Sequence, residues 1–171
     1  PLWSRGLGDV YKRQWLHGTD LVRGAVSLLV SPGGKGKSSW LITLALACVS
    51  NQKLLGSTIY GNDLRVLYIN TEDSSDEIGL RVRAAMMHHN LNDTQLSGLG
   101  IIGADNFRLT LLKIDKNTPI LDPVSLNTFN NLLDNFSPDI VILDPLVALM
   151  GGVTLNDNAA AALLMGAMVQ I

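Results

Sequence analysis

The sequence predicts an α/β fold built on a mostly parallel, doubly wound sheet, and three observations lead there. Apolar runs of strand length alternate with longer helix-like runs along the chain. A glycine-rich loop, Ser31-Pro32-Gly33-Gly34-Lys35-Gly36-Lys37-Ser38-Ser39, joins one strand-like run to one helix-like run. Two later strand-like runs end directly in carboxylates, and the carboxyl ends of strands are where open α/β sheets gather their ligands.

Taken in order, residues 1–14 show neither an initiator Met nor any periodicity. They resemble translated sequencing-adaptor read-through, so the domain is expected to span 15–171. Gly24-Ala25-Val26-Ser27-Leu28-Leu29-Val30 is short, apolar and partly β-branched, the composition of a buried parallel strand. The glycine-rich loop follows. Trp40 to Val49 is apolar nearly all round, as a helix packed on a sheet would be. Within the loop, Gly33, Gly34 and Gly36 let the backbone curl until successive N–H groups point inward, which makes a cradle for phosphate. Lys37 is placed to reach β/γ-phosphates and the Ser38 hydroxyl to ligate Mg²⁺, and the following helix adds its positive N-terminal dipole. The usual spacing, G-x-x-x-x-G-K-[ST], has glycine where Ser31 stands, so that end of the loop must accept a small side chain. The competing reading, a flexible surface loop, does not explain why a strand-like and a helix-like run flank it.

Leu64 to Asn70 reads as a second strand and runs straight into Thr71-Glu72-Asp73. Ser74-Ser75-Asp76-Glu77 has the S-x-x-E form of a capping box, which starts a helix that continues to about His89. A carboxylate at that strand end can orient and deprotonate a water, and Glu72 is the stronger candidate of the two acids. The alternative is that both acids only favour the helix N-terminus. His88-His89 read as surface histidines, since adjacent residues on a helix do not share a site, and Met86-Met87 read as core.

Further on, Gly98 to Gly103 frames a short strand around Ile101-Ile102, Phe107 to Ile114 has strand character, and Lys113 to Pro123 reads as a charged, proline-bounded loop. Asp122 is a poor metal candidate, with no strand expected before it. Ser125 to Phe136 reads as a helix closed by Ser137-Pro138. Ile140-Val141-Ile142-Leu143-Asp144 is four apolar residues ending in an acid, placed to hold the shell of a Mg²⁺ ion. The stretch Met150 to Asn158 carries no Lys or Arg, which argues for a glycine-softened loop with an Asn/Asp helix cap rather than a DNA contact. Ala159 to Ile171 reads as a helix that stops mid-pattern.

The loop 32–38, the strand end Asn70-Thr71-Glu72-Asp73-Ser74, and Asp144-Pro145-Leu146 followed by Gly151-Gly152 and Asn156-Asp157-Asn158-Ala159-Ala160 together resemble the RepA-like AAA ATPases. These are RecA-fold proteins that include hexameric replicative DNA helicases. The resemblance covers about Trp15 to Ile171. It implies a RecA-like P-loop NTPase core, cut short at its C-terminus, that uses ATP and Mg²⁺. By it the phosphate loop is Ser31, Pro32, Gly33, Gly34, Lys35, Gly36, Lys37, Ser38 and Ser39, and the catalytic pair is Lys37 and Glu72. Ser38 and Asp144 serve the metal, Asp144 as the Walker B acid. It further implies a homo-oligomeric ring, a hexamer, with DNA reached through a C-terminal half and a finger residue that lie beyond this sequence. A P-loop small-molecule kinase is the less favoured enzyme, because Arg81, Arg83 and Arg108 are scattered rather than gathered in a lid. A nucleotide-gated regulator with little turnover is the alternative outside enzymology. A GTPase is disfavoured because no N-K-x-D stretch occurs.

Composition fits one cytoplasmic domain. The chain is 47% hydrophobic with mean hydropathy +0.24, enough for a core of one domain. Setting aside residues 1–14 leaves ten basic and fourteen acidic residues, a net charge near −4, which offers no general attraction for nucleic acid or an anionic membrane. A single cysteine, Cys48, rules out an internal disulfide and suits a reducing compartment. No apolar run reaches the ~20 residues that span a bilayer, and no signal peptide is visible.

Overall fold

The computed structural model describes residues 13–116, 118–153 and 158–170. Its centre is a three-stranded parallel sheet ordered β4-β3-β7, made of β3 (Val66–Asn70), β4 (Leu99–Ile102) and β7 (Ile140–Asp144). All five residues of β3 are buried, as expected of a strand with a neighbour on each side and helices on each face. β3 meets β7 with Val66 opposite Ile140 and Asn70 opposite Asp144, so the two strands end level with each other.

The alternation of side chains along β3 and β7 sorts the core into two layers. Val66, Tyr68, Ile140 and Ile142 pack with α1 (Lys37–Ser50) and α2 (Ser75–His89), which contribute Ile42, Leu46, Ile78 and Met86 among others. Leu67 and Ile69 face the opposite layer, formed by Phe129 of α3 (Pro123–Phe136), Ala160 and Leu164 of α4 (Asn158–Gln170), and Leu109, Leu111 and Leu112. Each fully buried Leu or Ile contributes roughly 1.5–3 kcal/mol of transfer free energy. A parallel sheet with helices on both faces is therefore present, as a mixed α/β arrangement of three strands rather than the full doubly wound sheet.

Helix boundaries follow their caps. Ser74 accepts a hydrogen bond from the Glu77 N–H at 3.3 Å, which is half of the expected capping box. Glu77 does not reach back; its carboxylate takes the Arg81 Nε–H at 3.0 Å one turn on, the i,i+4 geometry that stabilises exposed helix faces. Asp122 caps α3 and also accepts from Lys113 Nζ at 2.7 Å. Of the two methionines near the end of α2, Met86 is core as expected, whereas Met87 is 72% exposed. His88 and His89 sit in the last turn of α2.

Two expectations need correction. The run Gly24–Val30 has the composition of a buried strand but pairs with no strand among the described residues; Leu28 and Val30 are 62% and 75% exposed. It lies extended across a groove of about 1180 Å³ from the outer edge of β7. Apolar composition makes a strand only where a neighbouring backbone takes up its N–H and C=O groups, and no described strand pairs with this run. The Lys113–Pro123 stretch is not a loop. β5 (Leu112–Asp115) and β6 (Thr118–Leu121) form an antiparallel hairpin, with Pro119 opposite Ile114. A strand thus does precede Asp122, although the acid is used as a helix cap. Near the amino end, β1 (Trp15–His17) and β2 (Leu21–Val22) form a second small hairpin. Residues 1–12 and 154–157 lie outside the described residues, which takes in most of the expected read-through tail and the Asn/Asp cap expected before α4. No helix of the described residues is long and apolar enough to cross a membrane.

Candidate nucleotide site

Three segments carry the candidate residues: the ends of β3 and β7 lie side by side at the carboxyl edge of the sheet, and Lys37, just past the glycine-rich loop, lines the groove beside β7 together with Asp144. The first is the glycine-rich loop. Gly34 (φ 69°) and Gly36 (φ 80°) both occupy the left-handed region, which glycine enters without the Cβ clash that other residues meet. These two turns let the chain reverse and enter α1 at Lys37. The Lys37 side chain folds back over the loop, its Nζ donating to the carbonyls of Ser31 at 2.9 Å and Pro32 at 3.0 Å. The backbone carbonyl of Ser31, which stands where the usual motif has its first glycine, helps hold the ammonium over the loop.

The start of α1 differs from the starts of α2 and α3. Its cap residue, Gly36, supplies no side-chain hydrogen bond, and its first turn holds no acidic residue. Ser74 and Asp122 cap the other two. The first amides of α1 carry positive partial charge and sit beside Lys35 and Lys37. This arrangement suits an anion with several oxygens. Ser38 and Ser39 fall in the first turn of α1, with Ser38 half-buried.

The second segment leaves β3. Asn70 is only 2% exposed, and its Oδ1 accepts the backbone N–H groups of Glu72 at 2.8 Å and Asp73 at 2.7 Å. This Asx-type turn fixes the path of the two acids. Their side chains then differ. Asp73 pairs with Arg81 at 2.8 Å, while the Glu72 side chain is exposed and its carboxylate makes no hydrogen bond or ion pair among the described residues. Of the two, Glu72 is the carboxylate free to meet a water.

The third segment is the end of β7. Asp144 is 6% exposed, and its Oδ2 accepts a 2.7 Å hydrogen bond from the Tyr68 hydroxyl. Its backbone carbonyl accepts the Thr71 N–H at 3.1 Å. Burial and the neighbouring Asp144 carboxylate push the Tyr68 phenol well above its ordinary pKa, so it is a neutral donor at any physiological pH. Lys37, Trp40 and Asp144 line the same groove beside β7. Trp40 packs against the α1 and α2 layer, as its position in an apolar helix suggested.

Among the described residues no group of three or more His, Cys, Asp or Glu gathers around one point. Mg²⁺ is held by one or two protein oxygens plus waters and phosphate rather than by a protein cage. Asp144 and the Ser38 hydroxyl supply hard oxygen donors of the right kind. The buried Thr71 Oγ1, one residue past β3, has no hydrogen-bond partner, and such an orphan hydroxyl accommodates a water or an anionic oxygen. Sequence reasoning missed both Thr71 and Tyr68. Tyr68 carried a faint signal, a polar tip inside an apolar strand two residues before Asn70.

The fold and the loop define a P-loop nucleotide-binding domain. Comparison with protein families matches residues 4–171 to the AAA domain family, and the chain belongs to that family of P-loop ATPases. No curated protein and no solved structure matches the chain.

Proposed function

We propose that this chain binds ATP with Mg²⁺ and hydrolyses it, as part of a homo-oligomeric, ring-forming ATPase of the RepA-like type that works on DNA in replication or unwinding. The observation that supports it most is the loop: an ammonium held over two left-handed glycine turns, at the mouth of a helix whose cap residue, Gly36, supplies no side-chain hydrogen bond. Lys37 and the loop amides 33–38 would bind the phosphates. Ser38 and Asp144 would hold Mg²⁺, which when bound neutralises charge developing on the transferred phosphoryl group. Glu72, placed by Asn70 and left unpaired, would take a proton from the attacking water.

Lys37→Ala is expected to abolish Mg²⁺-dependent ATP binding, measured by calorimetry with circular dichroism confirming the fold. Glu72→Gln is expected to bind ATP as the parent does and to lose turnover. Unchanged turnover in Glu72→Gln would refute the base assignment, and a parent chain that binds GTP as well as ATP would refute the ATP preference.

A further inference from the structure

We infer that Tyr68 is a positioning residue for the metal-side carboxylate: its hydroxyl holds Asp144 in the orientation that accepts a divalent cation. The inference rests on the proposed metal role of Asp144. The two residues are 76 positions apart in sequence and meet because β3 and β7 run parallel and in register, with Tyr68 opposite Ile142 and Asn70 opposite Asp144. Tyr68 is 2% exposed, and its ring packs in the layer formed by α1 and α2. Its hydroxyl therefore has little freedom to follow the carboxylate. The 2.7 Å bond takes up Oδ2 of Asp144, and no hydrogen bond from a described residue engages Oδ1. One oxygen is fixed to the protein and the other remains for the ion or its waters.

A buried carboxylate that binds metal needs such a partner for a physical reason. Without it the side chain can rotate between wells, and each productive encounter requires restoring one of them at an entropic cost. Outer partners of metal ligands act in this way, and their removal typically costs about 10–100-fold in metal affinity. The competing explanation is that Tyr68 only satisfies a buried acid. In that case its loss would lower stability without changing the demand for metal.

Tyr68→Phe removes the hydroxyl and keeps the ring. The test uses the whole chain, with ADP as nucleotide and Mn²⁺ as the cation, because bound Mn²⁺ is read directly by electron paramagnetic resonance. ADP binding in EDTA should remain within about two-fold of the parent, since the loop that carries Lys37 is untouched. The Mn²⁺ concentration for half-saturation of the ADP-loaded chain should rise about ten-fold or more. In scanning calorimetry, the extra stabilisation that metal adds to ADP should shrink relative to ADP alone. That difference is internal to each variant, so it can be read even where Tyr68→Phe lowers the baseline melting temperature. An unchanged Mn²⁺ half-saturation, or an unchanged calorimetric difference, would overturn the inference. Asp144→Asn, run in parallel, separates the two levels. If it loses the metal dependence and Tyr68→Phe keeps it, the positioning role alone fails. If Asp144→Asn leaves the metal dependence intact, the metal role of Asp144 fails and the inference falls with it.

Discussion

Asn70→Ala should uncouple the acid-bearing turn from the sheet. In the native structure one buried side-chain oxygen accepts two backbone N–H groups, those of Glu72 at 2.8 Å and Asp73 at 2.7 Å. Truncation removes both bonds at once and leaves two half-buried donors. Each lost bond costs about 1 kcal/mol, rising toward about 2 for a donor that stays half-buried, so the pair should cost about 2–4 kcal/mol. For a chain of this size each kcal/mol moves the melting temperature by about 2–4 °C, which puts the expected fall at about 5–15 °C. Urea unfolding should show a lower midpoint with an unchanged slope, the signature of lost stability without a change in the surface exposed. Because the turn carries Glu72, ATP turnover should fall more than ten-fold, roughly a 1.4 kcal/mol rise in barrier, while ATP binding through the Lys37 loop stays within a few-fold. A stability loss under about 0.5 kcal/mol, the range of ordinary surface substitutions, would show that water replaces Asn70 without penalty and would refute the reasoning.

Other outcomes follow from the same geometry. Hydrogen bonds from Lys113 and Ser125 hold the Asp122 carboxyl down at about 2; a depressed carboxylate stabilises above its unfolded pKa of about 3.9 and loses that contribution as pH falls through the folded value. The parent's urea midpoint should therefore drop between about pH 4 and 2, and Asp122→Asn, which keeps a capping oxygen but cannot titrate, should show a shallower drop. Gly103→Ala should destabilise by about 2 kcal/mol or more in urea, because an added Cβ would stand 2.2 Å from the Ser75 nitrogen and 2.6 Å from the Ser74 carbonyl carbon; a neutral result would mean that the start of α2 can shift freely. Burial pushes the Cys48 thiol up to about 12, so iodoacetamide should label it at least about a thousand-fold more slowly than a free thiol at pH 8, and labelling should accelerate in step with unfolding by urea.

Much of this architecture is local in origin and was therefore legible along the chain. Ser74 caps α2 because Ser accepts from an amide three residues on, and the loop turns because Gly34 and Gly36 tolerate positive φ; neither requires knowledge of the rest of the molecule. The strand-end positions of Glu72 and Asp144 are of the same kind, since a short apolar run followed by an acid needs only its own composition to be read.

What only the tertiary structure decided are relations between distant segments. Val26, Leu28 and Val30 look like a buried strand, yet whether a strand forms depends on a neighbour that composition cannot supply, and beside β7 there is a groove instead. The hairpin of β5 and β6 escaped notice because Pro119 and the charged residues of 113–116 weaken its strand signal, while cross-strand pairing maintains it. Tyr68 and Asp144 are 76 positions apart, and only the parallel register of β3 and β7 brings a hydroxyl to a carboxylate. Local sequence determines which backbone shapes and caps are favoured. Register and packing determine which side chains meet, because they are set by the sum of many contacts between segments, and the surroundings of the candidate site belong to that second kind.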